Sequence, residues 1–339
     1  MSSVIEVHDI TKKYKGGVEA LKGVSFGVGA GEILGYLGRN GSGKTTTIRI
    51  LTTLTRPTSG SASVNGYDVI AQPDDVRRSV GVTMQDAALD DLMTGREHME
   101  LVGGLWGLSG KDARRRSDEL LDIFGLVDAQ KRLISTYSGG MRRRLDIATA
   151  LIMSPRILLL DEPTTGLDPQ SRRALWNQIR ELKADGATIF LTTQYLEEAD
   201  ELADRIAIID NGGIVACGSP EELKSDLGRT LVEVRLLDEG QVTELRQAAG
   251  EAPLTVLPDN WVRIELSGNG TASPVILDML GRIRDAWVGI ERLSVTEPSL
   301  EDIFVQLTGD DLEQQSSETN ATDGPTAIAQ PELVTSGGN

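Results

Sequence analysis

The nine residues Gly38-Arg39-Asn40-Gly41-Ser42-Gly43-Lys44-Thr45-Thr46 constrain this chain more than any others. They follow the apolar run Ile33-Leu34-Gly35-Tyr36-Leu37 and precede the helix-like Thr47-Ile48-Arg49-Ile50-Leu51. Strand, glycine loop and helix in that order form a phosphate-binding loop, and Gly38, Gly43, Lys44 and Thr45 fit its spacing. Glycines let consecutive backbone N–H groups turn inward as an anion nest, and the helix N-terminus adds partial positive charge. Lys44 is expected to reach the β- and γ-phosphates, and the Thr45 hydroxyl to ligate Mg²⁺.

A chain of 339 residues carries about two domains. The net charge is −17, from 51 acidic and 34 basic residues, which argues against a nucleic-acid-coating protein. Part of the excess lies near the end, in Asp310, Asp311, Glu313, Glu318, Asp323 and Glu332, with no Lys or Arg after Arg292. One cysteine, Cys217, excludes an internal disulfide; within Gly213-Ile214-Val215-Ala216-Cys217-Gly218 it reads as a small buried hydrophobe. Two histidines, His8 and His98, leave no His-rich metal site. No apolar run approaches the ~18 residues of a membrane span, so a membrane role is expected to come through a partner.

Val4–Ile10 alternates as a half-buried strand, Thr11–Gly17 reads as a polar turn, and Ala20–Phe26 as a second strand. Tyr14, in that turn, is either an ordinary surface residue or an aromatic for stacking on an adenine ring. Asn65-Gly66 after Ser61–Val64 is a hairpin signal. Val80–Met84 reads as a strand ending at Gln85, and Asp91–Ala129 as helical, with Leu120, Leu121, Ile123 and Phe124 as its apolar set. The run Arg114-Arg115-Arg116 is a solvated face, because Asp112, Asp118 and Glu119 interleave with it. Residues 230–308 repeat strand–helix–strand twice, around helices at Thr243–Ala249 and Val275–Ala286. A last helix starts at Pro298-Ser299-Leu300, and from Gly309 the composition is that of a disordered tail.

A nucleotide site on a parallel sheet also needs a carboxylate for the Mg²⁺ shell and a base for water. Ile157-Leu158-Leu159-Leu160 is the continuous apolar run of a strand buried on both faces, and it ends at Asp161-Glu162. Asp161 suits the metal role and Glu162 the base. Gln85 can offer its amide oxygen to Mg²⁺ or to the attacking water. Ser138-Gly139-Gly140 at another helix start forms a second anion nest, which invites one ATP held between two subunits.

These motifs, in this order, resemble the ATP-binding subunits of ABC transporters. Gly38–Thr46 corresponds to Walker A, Gln85 to the Q-loop, Tyr137–Met141 to the signature, Ile157–Glu162 to Walker B, and Gly166-Leu167-Asp168 to the D-loop. Tyr14 matches the family's adenine-stacking aromatic. The chain looks most like ATPases of the daunorubicin/doxorubicin-resistance type. Tyr137–Arg144, Thr192-Thr193-Gln194-Tyr195-Leu196-Glu197-Glu198-Ala199-Asp200 and Pro298-Ser299-Leu300-Glu301-Asp302 carry that likeness. The resemblance implies an α/β P-loop NTPase of ABC type: a RecA-like core, an antiparallel β subdomain and a helical signature subdomain. This domain would span residues 1–227, with the helical part at about 88–155. A small α+β C-terminal domain would occupy 228–308 and a tail 309–339. It further implies ATP and Mg²⁺ as cofactors and an ABC-2-type membrane permease as partner. A second copy would complete an ATP-sandwich dimer, with Asp168 beside the shared site. The subunit would lie in the cytoplasm, peripheral on the inner face of the cell membrane. Residues from Gln85 to about Gly107 would face the permease, with Leu92, Met93 and Trp106 there as either contacts or core residues of a helix.

Two positions depart from the wider family pattern. The signature ends in Met141 instead of Gln, and the switch position, usually His, is Gln194. A glutamine donates a hydrogen bond to a γ-phosphate but cannot carry charge or shuttle a proton. The resemblance implies ATP-driven efflux of a drug or other hydrophobic compound; competing readings are an exporter of lipid, polysaccharide or another non-drug substrate, a soluble ABC ATPase acting on ribosomes or DNA, and an inactive scaffold. A single cassette, the absence of long heptads and the acidic charge oppose the second. Intact Lys44, Asp161 and Glu162 oppose the third.

Overall fold

A computed structural model of the chain describes residues 3–227, 229–267, 272–296 and 299–309. Pro298 and the tail beyond Gly309 lie outside them. In chain order, β1 (Ser3–Lys13) and β2 (Glu19–Gly29) lead to β3 (Ile33–Leu37) and α1 (Lys44–Leu51). Next come β4 (Ser59–Val64), β5 (Tyr67–Asp68), α2 (Pro73–Ser79) and β6 (Val80–Thr83). A helical run follows: α3 (Gly95–Leu105), α4 (Gly110–Ile123) and α5 (Gly139–Ala150). Then come β7 (Ile157–Asp161), α6 (Pro169–Ala184), β8 (Thr188–Thr193), α7 (Leu196–Leu202), β9 (Arg205–Asp210), β10 (Gly213–Gly218) and α8 (Pro220–Leu227). The last stretch holds β11 (Arg229–Leu236), α9 (Val242–Ala249), β12 (Leu254–Val256), β13 (Trp261–Ser267), α10 (Ala272–Asp285), β14 (Ile290–Thr296) and α11 (Leu300–Thr308).

The central sheet has the order β10-β9-β3-β8-β7-β6, parallel except for β10. β3, β7 and β8 are buried at every residue, as strands covered on both faces must be. Their period of two sorts the side chains into two cores. Leu158, Leu160, Ile189 and Leu191 face the helical side with Leu145, Leu175 and Ile179. Ile157, Leu159 and Phe190 face the first sheet with Ile5, Val7 and Val64. That first sheet is antiparallel, order β2-β1-β4-β5. Asn65 (φ +53°) and Gly66 (φ +80°) make its β4–β5 turn with both central residues left-handed, as a type I′ hairpin requires. The Thr11–Gly17 turn is shorter than its polarity predicts. Thr11, Lys12 and Lys13 still pair with β2, and the reversal spans Tyr14–Val18.

In the helical run Leu120, Leu121 and Phe124 are buried but Ile123 is exposed, being one residue off the apolar stripe of α4. The arginine run is solvated as expected: Arg114 pairs with Glu100, and Arg115 and Arg116 with Glu119. Cys217 is exposed, contrary to the sequence reading. β10 is an edge strand, and its residues alternate outward from Val215 to Cys217. The third sheet, β12-β13-β11-β14, is wholly antiparallel and buries Val232, Val234, Val262 and Ile264 under α9 and α10. The last helix, α11, leaves that sheet. Its Leu300, Ile303 and Phe304 belong to the core on the helical side of the central sheet.

Candidate nucleotide site

The site forms where β3, β7 and β8 end, the edge at which open α/β sheets bind ligands. Gly43 immediately precedes α1 at φ +116°, and a Cβ there would stand 2.7 Å from the Ala20 carbonyl oxygen and Leu21 Cδ2. A Cβ on Gly38 would collide with the Ile209 carbonyl oxygen. Both glycines are therefore required by close backbone approach. The Lys44 ammonium is buried; it donates to the carbonyls of Gly38 (2.8 Å) and Arg39 (2.9 Å) and pairs with Glu162 Oε1 at 3.1 Å. Burial lowers the Lys44 pKa, and the carboxylates of Glu162 and Asp161 oppose that shift. A cavity of about 410 Å³ is lined by Tyr14, Asn40, Gly41, Lys44, Thr45, Thr46, Gln85 and Glu162, among others. Tyr14 stands at its margin, its hydroxyl 3.4 Å from Thr46 Oγ1 and its ring under Lys12. Ser42 is buried in the loop. Arg39 points away: its guanidinium lies over the Phe304 ring and donates to Thr308 Oγ1 at 3.1 Å.

Asp161 is fully buried, and its Oδ1 accepts from Thr192 Oγ1 (2.6 Å) and from Thr45 Oγ1 (3.4 Å). Its Oδ2 is buried with no hydrogen-bond partner among the described residues. A buried carboxylate oxygen without a donor is a costly arrangement unless a cation meets it. Thr45, Gln85 and Asp161 line one neighbouring cavity of about 380 Å³. One carboxylate with neutral oxygens and room for phosphate fits Mg²⁺, which takes few protein ligands. Among the described residues no cluster of three His, Cys, Asp or Glu offers an alternative metal site. Glu162 sits at φ +46°, a backbone region that side chains other than glycine rarely adopt. Its N–H is held by the Thr192 carbonyl and hydroxyl (each 3.1 Å), and its Oε2 accepts from Thr165 Oγ1.

The remaining predicted residues lie around this centre. Gln85 is exposed and lines both cavities. Gln194 follows β8 half-buried and is not among the lining residues, but Thr193 beside it accepts from the Gly38 N–H at 3.2 Å. Ser138 and Gly139 are exposed, Gly140 is buried, and none lines the cavity within one chain. Ser138 caps α5 by accepting from the Met141 N–H. Asp168 caps α6, and the Ser171 hydroxyl and N–H that it accepts from lower its pKa. A Cβ on Gly140 would stand 2.6 Å from Ser171 Oγ and one on Gly139 3.9 Å from Leu167 Cδ2, so the signature packs against the D-loop and the first turn of α6.

Three buried polar groups near the site escaped the sequence reading. Thr192 serves Asp161 and Glu162 with one hydroxyl; a Thr192-Thr193 pair ending a buried strand was its only signal. Glu198 on α7 is fully buried, accepts from Trp176 Nε1 at 3.1 Å, and is raised in pKa by burial. Arg143 on α5 is buried and donates to four oxygens on three segments. A wide groove of about 540 Å³ opens nearby between β6, α3 and α5, with Val102, Trp106 and Met153 among its walls and His98 and Asp146 buried in it. Leu92 and Trp106 are exposed, whereas Met93 packs on the core.

Residues 21–165 match the ABC transporter family, and residues 218–308 match the C-terminal domain of DrrA1-3-like ATP-binding proteins. The chain is 44% identical over 324 residues to the daunorubicin/doxorubicin resistance ATP-binding protein DrrA of Streptomyces peucetius, covering 94% of this chain and 96% of that one. It is 34% identical to the linearmycin resistance ATP-binding protein LnrL of Bacillus subtilis, over 90% and 98% of the two chains. It is 37% identical to part of the retinal-specific phospholipid-transporting ATPase ABCA4 of Bos taurus, over 90% of this chain and 14% of that one. Among solved structures it is similar to the dimeric ATP-binding cassette MJ0796 in a post-hydrolysis state with ADP and Pi. That match has a TM-score of 0.59 and 28% identity over 63% of this chain and 98% of that one.

Proposed function

Because the chain belongs to the ATP-binding proteins of ABC transporters, in the branch with a DrrA-type C-terminal domain, we propose that it powers export of a hydrophobic drug through a separate ABC-2-type membrane permease. It is an ATPase. The observation that carries the reading is the convergence of Lys44, Thr45 and Glu162 on one strand-end cavity, with Thr45 and Asp161 on the cavity beside it.

The loop N–H groups and Lys44 take the β- and γ-phosphates, and Tyr14 stacks on the adenine. Thr45, Asp161 and Gln85 would hold Mg²⁺, whose charge offsets that of the phosphate oxygens. Phosphate entry draws Lys44 away from Glu162 Oε1, leaving that carboxylate to take a proton from water. The water oxygen attacks Pγ, the bond from Pγ to the β,γ-bridging oxygen breaks, and ADP and phosphate leave. The left-handed backbone at Glu162 aims its carboxylate away from Asp161, so adjacent acids serve different atoms. Ser138, Gly139 and Gly140 of a second copy close the site, with Asp168 at the seam and Gln194 sensing the γ-phosphate. We place the boundary between the ATPase domain and the C-terminal domain at 227/228.

The groove beside α3 seats an apolar segment of the permease against Trp106, Val102 and Met153. Among the described residues no helix is long and apolar enough to cross a membrane, so attachment to the inner face of the membrane runs through this contact. The likeness to a phospholipid-transporting ATPase favours, as a second reading, an amphiphilic lipid as cargo. The test is Glu162→Gln in the purified chain. Hydrolysis should fall by about 10²-fold or more, as for loss of a general base, with ATP trapped in a stable dimer. Turnover at the native rate removes Glu162 from the base role.

A further inference from the structure

Arg143 lies on α5, five residues beyond Ser138, and is buried. Its Nε donates to the Pro163 carbonyl (2.9 Å), Nη2 to the Asp161 carbonyl (2.7 Å), and Nη1 to the Met84 carbonyl (2.6 Å) and Asp146 Oδ2 (3.2 Å). Every edge of the guanidinium is therefore used, and only a planar fork with several fixed donors can do this. The three carbonyls are informative by position. Asp161 and Pro163 flank Glu162, and Met84 precedes Gln85. None of these four bonds goes to the loop that grips phosphate. Burying a guanidinium is costly unless it is fully paired, and here the pairing goes to the backbone that aims the catalytic side chains.

We propose that Arg143 is a positioning residue for ATP hydrolysis. It fixes the strand-end carbonyls around Glu162 and Gln85 to the helix that begins at Ser138. Glu162 needs such a fixture, since its left-handed backbone is held only if its neighbours are. A helix start that engages a second copy's nucleotide thereby shares a rigid link with the base in its own site. Asp146 holds the fourth edge of Arg143 and keeps it oriented. The proposal rests on the assignment of Glu162 as the base.

The test uses the full purified chain and five variants. Arg143→Met should lower kcat at least tenfold while KM for ATP, and equilibrium ATP affinity in the Glu162→Gln background, stay within twofold. Arg143→Lys should recover part of kcat, because one ammonium reaches some of the same carbonyls. Arg143→Met also leaves Asp146 buried without its partner and lowers the thermal midpoint. The double variant Arg143→Met/Asp146→Asn should recover that midpoint but not kcat. A double variant with native kcat overturns the proposal, as does an Arg143→Met chain that loses ATP affinity in step with kcat. If Glu162→Gln turns over normally, the base assignment has failed. If Glu162→Gln is dead while the double variant is native, only the positioning role has.

Discussion

Two helices in this chain start from glycine loops, and the physical chemistry of the two starts is opposite. α1 begins after Gly43 with no side-chain cap, inside a cavity, beside a buried ammonium. Its first N–H groups are kept for a ligand by a loop that only glycine can follow. α5 begins after Ser138 with a side-chain cap that uses the Met141 N–H, and Ser138 and Gly139 are exposed. The first start encloses; the second presents. A start that encloses needs strained backbone and close contacts, whereas one that presents needs only ordinary geometry and an uncovered surface.

The same substitution should therefore act differently at the two starts. Gly43→Ala forces a Cβ into φ +116° and into contacts at 2.7 Å, so ATP affinity by calorimetry should fall by at least 100-fold. Gly139→Ala meets nothing nearer than Leu167 Cδ2 at 3.9 Å, so it should leave ATP affinity of the monomer unchanged and weaken only the ATP-dependent dimer. Equal losses in the two variants would break the contrast.

A smaller effect lies deeper in α5. Burial pushes the Asp146 carboxyl up to about 6, against the pull of Arg143. Its folded-state pKa is above that of the unfolded chain, so the folded protein binds more protons between about pH 4 and about pH 6. Stability is then lost as pH rises through that window. Asp146→Asn removes the titration, so the stability of the variant relative to the native chain should climb by up to about 3 kcal/mol from pH 4 to pH 7, read by denaturant unfolding. The slope, not the offset, isolates the ionisation, because the variant also alters the Arg143 contact. Smallest is Ser138→Ala, which should cost about 1 kcal/mol as a lost N-cap, without changing ATP affinity in the monomer.

The enclosing start was legible in the sequence because everything it needs lies within a few residues of Gly38–Thr46. The same holds for Ile157–Leu160 and Asp161, where an unbroken apolar run and its carboxylate announce a strand buried on both faces. Arg143 was not legible. Flanked by Arg142 and Arg144 it reads as surface charge, and only the three distant carbonyls explain its burial. Thr192 was missed for a similar reason, since a β-branched residue needs no special account in a strand. Cys217 was misread because local composition does not say which strand forms the sheet edge. Sequence spacing reports local geometry faithfully and reports partners from elsewhere in the chain hardly at all.

The return of α11 carries a consequence for how the protein is made. Arg39, in the nucleotide loop, bonds Thr308 across a separation of 269 residues, and Phe304 beneath it is fully buried in the core of the central sheet. While a ribosome still holds the last helix, the sheet and its glycine loop exist without that cover, and the apolar surface for Leu300, Ile303 and Phe304 stands open to water. The loop that is read first in synthesis is among the last to acquire its full surroundings.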